Sequence, residues 1–487
     1  MEFCLKDLIN KVENDERILQ FRFRYKNTLV WPFIRFSIYR AIKNDIYKSS
    51  RVPNEDKKNR LINKWRIQKI VKCIKLCFKT PFLWKGRDLL YFYGATGNVI
   101  SSDGKVYNRI FDGFVNEFHE RSGVIEIVGE REYYKDKHVD KRYLDPIELL
   151  IVVLCYLHKA HPEDILMADA LMNYLCNECK IGISSSEALR LKKNILFWSK
   201  AIRYMSIIFP RMFGAIKPSV VFFEDGYYGY RNAYLIKILH EMGIKSADIQ
   251  HALVGANHEA YVQSEFLCNN SEYAEYMPDY FLGWGEYWLD KISIPGTKIS
   301  IGNPQFWKQY SDSITAQDNE KAIVRNHKTI LWIAFQNNDK NIEFLDEFIS
   351  VSNNEYYIRV RLHPLLRNLT STYKKYDNNE KIIIDDLPTV YDSFRISDYV
   401  IAEFSTVVYE ALAFGKPTYI LASEEARLYE TLTVAPGFKS GNELLELFNK
   451  EDNVDNVMVD TYSKQKRFFG EAWQDKFRSF IENILTC

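Results

Sequence analysis

Between Tyr356 and Leu421 the chain repeats one arrangement: a short apolar, β-branched run that stops abruptly at polar side chains. The runs are YYIRVRLHP (Tyr356–Pro364), KIIIDD (Lys381–Asp386) and SDYVIAEFSTVVYEALAFGKPTYIL (Ser397–Leu421). Continuous runs of this length, alternating with helical stretches, read as buried strands of a parallel sheet. Such sheets bind ligands at the carboxyl ends of their strands, and that is where the polar groups stand. Arg361, His363 and Pro364 close the first run. Glu403, Ser405 and Thr406 close the third and open a helix that carries Glu410. A Ser-Thr pair at a helix N-terminus offers hydroxyls, free N–H groups and a positive dipole end, which suits a phosphate. An imidazole and a guanidinium from the neighbouring strand end suit the same anion. Singly, each feature has a plainer reading: an N-cap at Ser405 and a strand ended by His363 before proline. Together, with a GKP turn before the next strand, they point to a phosphate site.

The 487 residues suffice for two to four domains. A net charge of +1 implies no nucleic-acid partner. Eight cysteines stand without a framework, and the one CxxC, Cys176 and Cys179, lacks the second pair a zinc site needs. Reduced thiols and no metal site are expected. The longest apolar run, Leu149–Leu157, is far short of a bilayer span, and no charged-then-apolar leader is visible. The expected location is cytoplasmic, soluble or peripheral at the inner face of the membrane.

One segment argues for the peripheral alternative. From Lys57 to Arg87 there are eleven Lys or Arg and no acid, with Leu61, Trp65, Ile70, Val71, Ile74 and Cys77 near helical spacing. Such a helix suits an anionic membrane surface. It also suits ordinary packing of its apolar stripe on the protein.

A first α/β series begins at DLLYFYGATG (Asp88–Gly97) and GVIEIVGE (Gly123–Glu130), and a mainly helical stretch follows. It resumes with SVVFFEDGYYGYRNAYLIKILHEMGI (Ser219–Ile244), KSADIQHALVGANHEAYV (Lys245–Val262), DYFLGWGEYW and TKISIGNPQFW. The polar run Ser311–Lys328 reads as a linker, and TILWIAFQNN (Thr329–Asn338) opens the second series. The expected fold class is therefore α/β, with two doubly wound, Rossmann-like domains facing a cleft. The expected boundaries are 1–87 for a helical basic segment, 88–310 for an acceptor domain and 325–460 for a nucleotide domain. A helix over 461–487 would return to the first domain.

After consecutive strands of the first series stand Glu224 and Asp225, then Gln250, His251 and His258. Gly226 lets the chain turn directly after the carboxylates. Asp225, with Glu224 second and His251 third, is a candidate general base on an acceptor hydroxyl. Gln250 and His258 are placed on the acceptor side. The plainer reading makes Asp225 a helix cap and Glu224 a solvated side chain.

The set FFEDG, IQHALVGANHEAY, ISIGNPQFW, RVRLHP and AEFSTVVYEALAFGKP resembles bacterial surface-polysaccharide glycosyltransferases of GT-B fold. It is similar in particular to the group containing capsule, Kdo and sialic acid transferases, which build capsule and lipopolysaccharide. Glu224-Asp225-Gly226, His363-Pro364 and Ser405-Thr406 match that group's acidic, HP and Ser/Thr motifs in order. The resemblance spans about residues 219–421 and leaves the first 87 without counterpart. It implies an inverting transferase that takes a nucleotide sugar, with CMP-linked donors favoured, and a glycan or lipid-linked acceptor. It implies donor phosphate on His363, Ser405 and Thr406, and ribose on Glu410. Related proteins read QHG where this chain has Gln250-His251-Ala252, which puts a glycine conformation at residue 252 in question. The Ser/Thr motif is also similar to sugar-nucleotide epimerases and to polyol-phosphate transferases of teichoic acid synthesis.

No two aspartates stand at i, i+2, so the metal-holding Asp-x-Asp of other transferases is missing, and neither metal nor cofactor is expected. Two other functions remain open: an epimerase, which has no use for the basic segment, and a non-catalytic scaffold of polysaccharide assembly.

Overall fold

The computed structural model describes residues 5–46, 70–84, 86–94, 97–100, 104–127, 139–317, 328–334, 338–353, 355–362, 372–451 and 457–486. The chain forms two compact units. The first comprises Met1–Gly283, Leu289–Ile301 and Gln474–Cys487; the second comprises Trp284–Trp288 and Gly302–Trp473.

In the first unit seven strands form one parallel sheet: β1 (Leu89–Gly94), β2 (Ser122–Ile127), β3 (Lys141–Tyr143), β4 (Val220–Phe223), β5 (Lys245–Ile249), β6 (Tyr280–Gly283) and β7 (Thr297–Ser300). Their order is β7-β6-β5-β4-β1-β2-β3. Winding runs outward from β1 in one direction and from β4 in the other, so β1 and β4 flank the point of reversal. The helices include α1 (Leu5–Glu13), α2 (Trp31–Ile46), α3 (Asp145–Leu157), α4 (Pro162–Asn173), the 32-residue α5 (Ser185–Ile216) and α6 (Tyr230–Glu241).

Strands β1 and β4 are buried along almost their whole length, as a sheet covered on both faces requires. Tyr91 stacks on Phe222 at 4.7 Å and Phe92 on Phe223 at 5.6 Å. Each such buried ring contributes about 1.5–3 kcal/mol.

The second unit holds a six-stranded parallel sheet of β8 (Thr329–Ile333), β9 (Tyr357–Arg361), β10 (Ile382–Ile384), β11 (Tyr399–Ala402), β12 (Thr418–Leu421) and β13 (Gly437–Phe438). The order β10-β9-β8-β11-β12-β13 is again doubly wound, with β8 and β11 at the reversal. Its core gathers Ile330, Trp332, Phe348, Val360, Ile401 and Tyr419. The α/β class with two doubly wound sheets is thus the one the strand runs announce.

Details depart from expectation. The chain changes unit after Gly283, Trp288, Ile301 and Trp473, not once in the polar run Ser311–Lys328. Ser311–Gln317 belongs to helix α7 (Pro304–Gln317), whose Phe306 stacks on Phe469 at 4.0 Å and whose Tyr310 meets Phe414 at 5.3 Å. Those rings fix α7 in the second unit. Helix α8 (Thr406–Ala413) opens at the Ser-Thr pair. Helix α9 (Trp473–Thr486) places Phe477 against Phe114 and Phe222 of the first unit.

Of the basic segment, residues 57–69 and 85 lie outside the described residues, and Ile70–Leu76 is helical. No helix among the described residues is long and apolar enough to cross a membrane.

Candidate active site

The first sheet's reversal point is where its polar strand ends gather. Glu224 follows β4 directly, and its Oε2 accepts the Gly94 amide at the end of β1 at 2.6 Å. It is therefore buried, not solvated, and it ties the two central strands together. Asp225 comes next and is partly buried. Its Oδ1 accepts from Asn232 Nδ2 on α6 at 2.5 Å. Burial, then repulsion from Glu224, pushes the Asp225 carboxyl up to about 6, against the opposing pull of His251 and Asn232. Gly226 is needed for space: a Cβ there would lie 2.7 Å from Pro278 Cγ.

His251 and His258 leave the end of β5 and both approach one hydroxyl. Tyr228 Oη lies 3.4 Å from His251 Nε2 and 3.3 Å from His258 Nε2. Burial holds both imidazoles down to about 4, so both are neutral near pH 7. Gln250 is fully buried and donates from Nε2 to the Ala252 carbonyl at 3.1 Å, closing the turn. Ala252 has no left-handed backbone, so alanine is accommodated where related proteins carry glycine.

The N-terminal helices support this loop. Arg35 of α2 pairs with Glu13 of α1 at 2.7 Å and donates to the carbonyls of Glu259, at 2.6 Å, and Val262. Glu13 also accepts the Ser264 amide at 3.0 Å. Lys43 pairs with Glu259 at 3.0 Å. Phe36 stacks on Tyr228 at 4.4 Å, and Gly229, at φ +80, sits where a Cβ would lie 2.1 Å from the Pro32 carbonyl. Sequence reasoning did not single out Tyr228, and it read the apolar run Thr28–Ile42 as helical without giving it a role at the site. The YYGY string was visible, but nothing in it tells which tyrosine meets the histidines.

In the second unit, Ser405 caps α8: its Oγ accepts the Val407 amide at 3.3 Å. Glu403 and Glu410 are both buried. Ser405 and Thr406 follow β11 at the reversal point, where a doubly wound sheet receives ligands. Two expectations are corrected. Strand β9, which ends in Arg361, is not beside β11, because β8 lies between them. Arg361 is also already bound: its Nη1 donates to Asp385 Oδ2 at 2.5 Å, Ser393 Oγ at 3.0 Å and the Leu387 carbonyl at 3.1 Å. Arg359 donates to the same carboxylate at 2.8 Å. His363 and Pro364 lie outside the described residues.

With this geometry in place, a family model matches part of the chain. The family model of CDP-glycerol:poly(glycerophosphate) glycerophosphotransferase matches residues 322–469. This is a transferase family of surface polymers, but not the capsule, Kdo and sialic acid group that the motifs resemble. No curated protein matches the chain by sequence. Among solved structures, the wall teichoic acid polymerase TagF is similar at 14% identity and a TM-score of 0.45, covering 86% of this chain and 98% of its own. A UDP-GlcNAc 2-epimerase from Methanocaldococcus jannaschii is similar at 11% identity and a TM-score of 0.44, covering 81% and 99%. The S. aureus MnaA bound to UDP is similar at 12% identity and a TM-score of 0.44, covering 82% and 97%.

Proposed function

We propose that this chain is a transferase that moves a glycerophosphate-like unit from a CDP-linked donor to a hydroxyl of a surface-polymer acceptor. The observation that carries this reading is the glycerophosphotransferase match over residues 322–469, which takes in β8 to β13 and the Ser405-Thr406 helix end. The donor phosphates are held by Ser405, Thr406 and His363, where the hydroxyls and the positive end of α8 meet a negative ligand. Glu410 takes the ribose. In the reaction the acceptor oxygen bonds to the outer phosphorus, the bridging P–O bond breaks and CMP leaves with its electrons. The acceptor proton passes to Asp225, whose carboxyl is tuned towards neutral pH by burial and by Glu224. Glu224 itself is a strand tie, and the helix end takes over the charge neutralisation that a metal provides elsewhere.

Inverting transfer from a nucleotide sugar, CMP-linked or other, is the second reading, supported by the order of the three motifs along the chain. A thermal-shift panel of CDP-glycerol, CMP, UDP and GDP, with and without chelator, separates the two. A ligand at 100 times its Kd stabilises by about 2.7 kcal/mol. Stabilisation by UDP or GDP alone would overturn the reading, as would a response that chelator abolishes.

In this reading the acceptor end of the reaction lies at an anionic membrane surface. Within the basic segment Phe78 is 84% exposed and Leu83 62%, and on α3 Tyr156 is 82% and Leu157 73% exposed. Apolar side chains standing in water beside Lys75 and Lys79 fit a lipid headgroup layer, which takes up both.

A further inference from the structure

The two histidines and the tyrosine of the first unit form a chain of hydrogen bonds with a determinable direction. Ala260 N–H donates to His258 Nδ1 at 3.2 Å. A ring nitrogen that accepts carries no proton, so neutral His258 holds its proton on Nε2. That Nε2–H donates to Tyr228 Oη at 3.3 Å. The single Tyr228 proton is then free for His251 Nε2 at 3.4 Å. Donation by Tyr228 leaves His251's own proton on Nδ1, a buried atom that makes no hydrogen bond among the described residues.

We propose that Tyr228 and His258 are positioning residues that lock His251 into its Nδ1–H tautomer and so present the Nε2 lone pair to a hydroxyl of the acceptor beside the attacking one, whose own proton goes to Asp225. A lone pair accepts a hydrogen bond from a hydroxyl and repels a phosphate oxygen. His251 therefore belongs to the acceptor's side of the reaction, not the donor's. This step rests on the transfer reading; the tautomer itself does not. The 3.4 Å contact is long enough to be exchanged for a substrate O–H, and Tyr228 stays in place meanwhile because Phe36 stacks on it. Backbone geometry sets the direction, since an amide of the loop orients His258. The N-terminal helices hold that loop by the Arg35 and Lys43 contacts.

The test is NMR on full-length protein with nitrogen-labelled histidine, reading which ring nitrogen of His251 bears the proton, with His251→Asn to assign the signal. The expected result is Nδ1–H in the wild type and loss of that preference in Tyr228→Phe, which keeps the stacked ring. His258→Ala should have the same effect as Tyr228→Phe. An Nε2–H tautomer in the wild type overturns the proposal. So does a His251 signal that neither variant moves. This readout needs no substrate, so it stands or falls separately from the transfer reading. With CDP-glycerol and a polymer acceptor, Tyr228→Phe should raise the acceptor KM about tenfold, the worth of one hydrogen bond. Donor affinity should stay unchanged; weakened donor binding with an unchanged acceptor KM would place His251 on the other side and overturn the assignment.

Discussion

Glu224 and Gly94 clasp the two central strands of the first sheet, the carboxylate of one accepting the amide of the other at 2.6 Å. A carboxylate used in this way is part of the framework. Glu224→Ala is expected to leave the Gly94 amide unpaired and to destabilise the protein by about 1–3 kcal/mol. Denaturant unfolding measures this; a midpoint equal to that of the wild type would mean the clasp contributes nothing.

Asp225 is expected to be the group whose loss stops transfer. Asp225→Asn should cut turnover about 10²–10⁴-fold with nucleotide affinity nearly unchanged, read by product formation and by calorimetry. Turnover within a few fold of the wild type would move the base elsewhere, with His251 next in line.

The raised pKa of Asp225 also has a sign in stability. Its folded pKa, about 6, lies above the ordinary value of 3.8, so the folded state holds the extra proton between the two. The contribution is complete below the unfolded value and is lost as pH rises through about 6. Wild type should therefore lose stability relative to Asp225→Asn as pH goes from 4 to 7. A stability difference that is flat across this window would show that the carboxyl is not perturbed.

Ser405→Ala and Thr406→Val should weaken CDP-glycerol binding by roughly tenfold to a hundredfold, the range for hydrogen bonds to a charged group. His363→Ala should act in the same direction. The Ser405 variant also loses an N-cap, so thermal unfolding of the free protein must be followed beside calorimetry. Unchanged affinity in all three would remove the phosphate from this helix end.

Binding to anionic liposomes should fall when Phe78 and Leu83 are changed together to Asp, and it should weaken with salt over a Debye length of about 8 Å at physiological ionic strength. Equal co-sedimentation of variant and wild type would assign the apolar side chains to another surface.

Much of this molecule could be read from its runs of residues, for a physical reason. A strand buried on both faces must be continuously apolar, so LLYFYG, VVFF and YVIA announce themselves. KRY at β3 does not, because a three-residue edge strand has no such obligation. Glu224 and Asp225 were legible as a pair at a strand end, but which one faced the Gly94 amide was not. Arg361 looked like a phosphate ligand because Asp385, its partner 24 residues on, becomes its neighbour only once β9 pairs with β10. Tyr228 meets histidines 23 and 30 residues away, and Arg35 meets a carbonyl 224 residues away. Contacts of that range leave no periodic trace in a sequence.

The placement of α9 sets the order in which this protein can be completed. Phe477 and Phe480 pack on Phe222 of the first sheet, yet they follow the whole second unit in the chain. Domains usually fold one after another as the ribosome delivers them, the N-terminal one first. Here the part of the first sheet around Phe222 stays uncovered until Phe477 and Phe480 have been synthesised. A nascent chain must therefore shelter that face while its second unit is still being made.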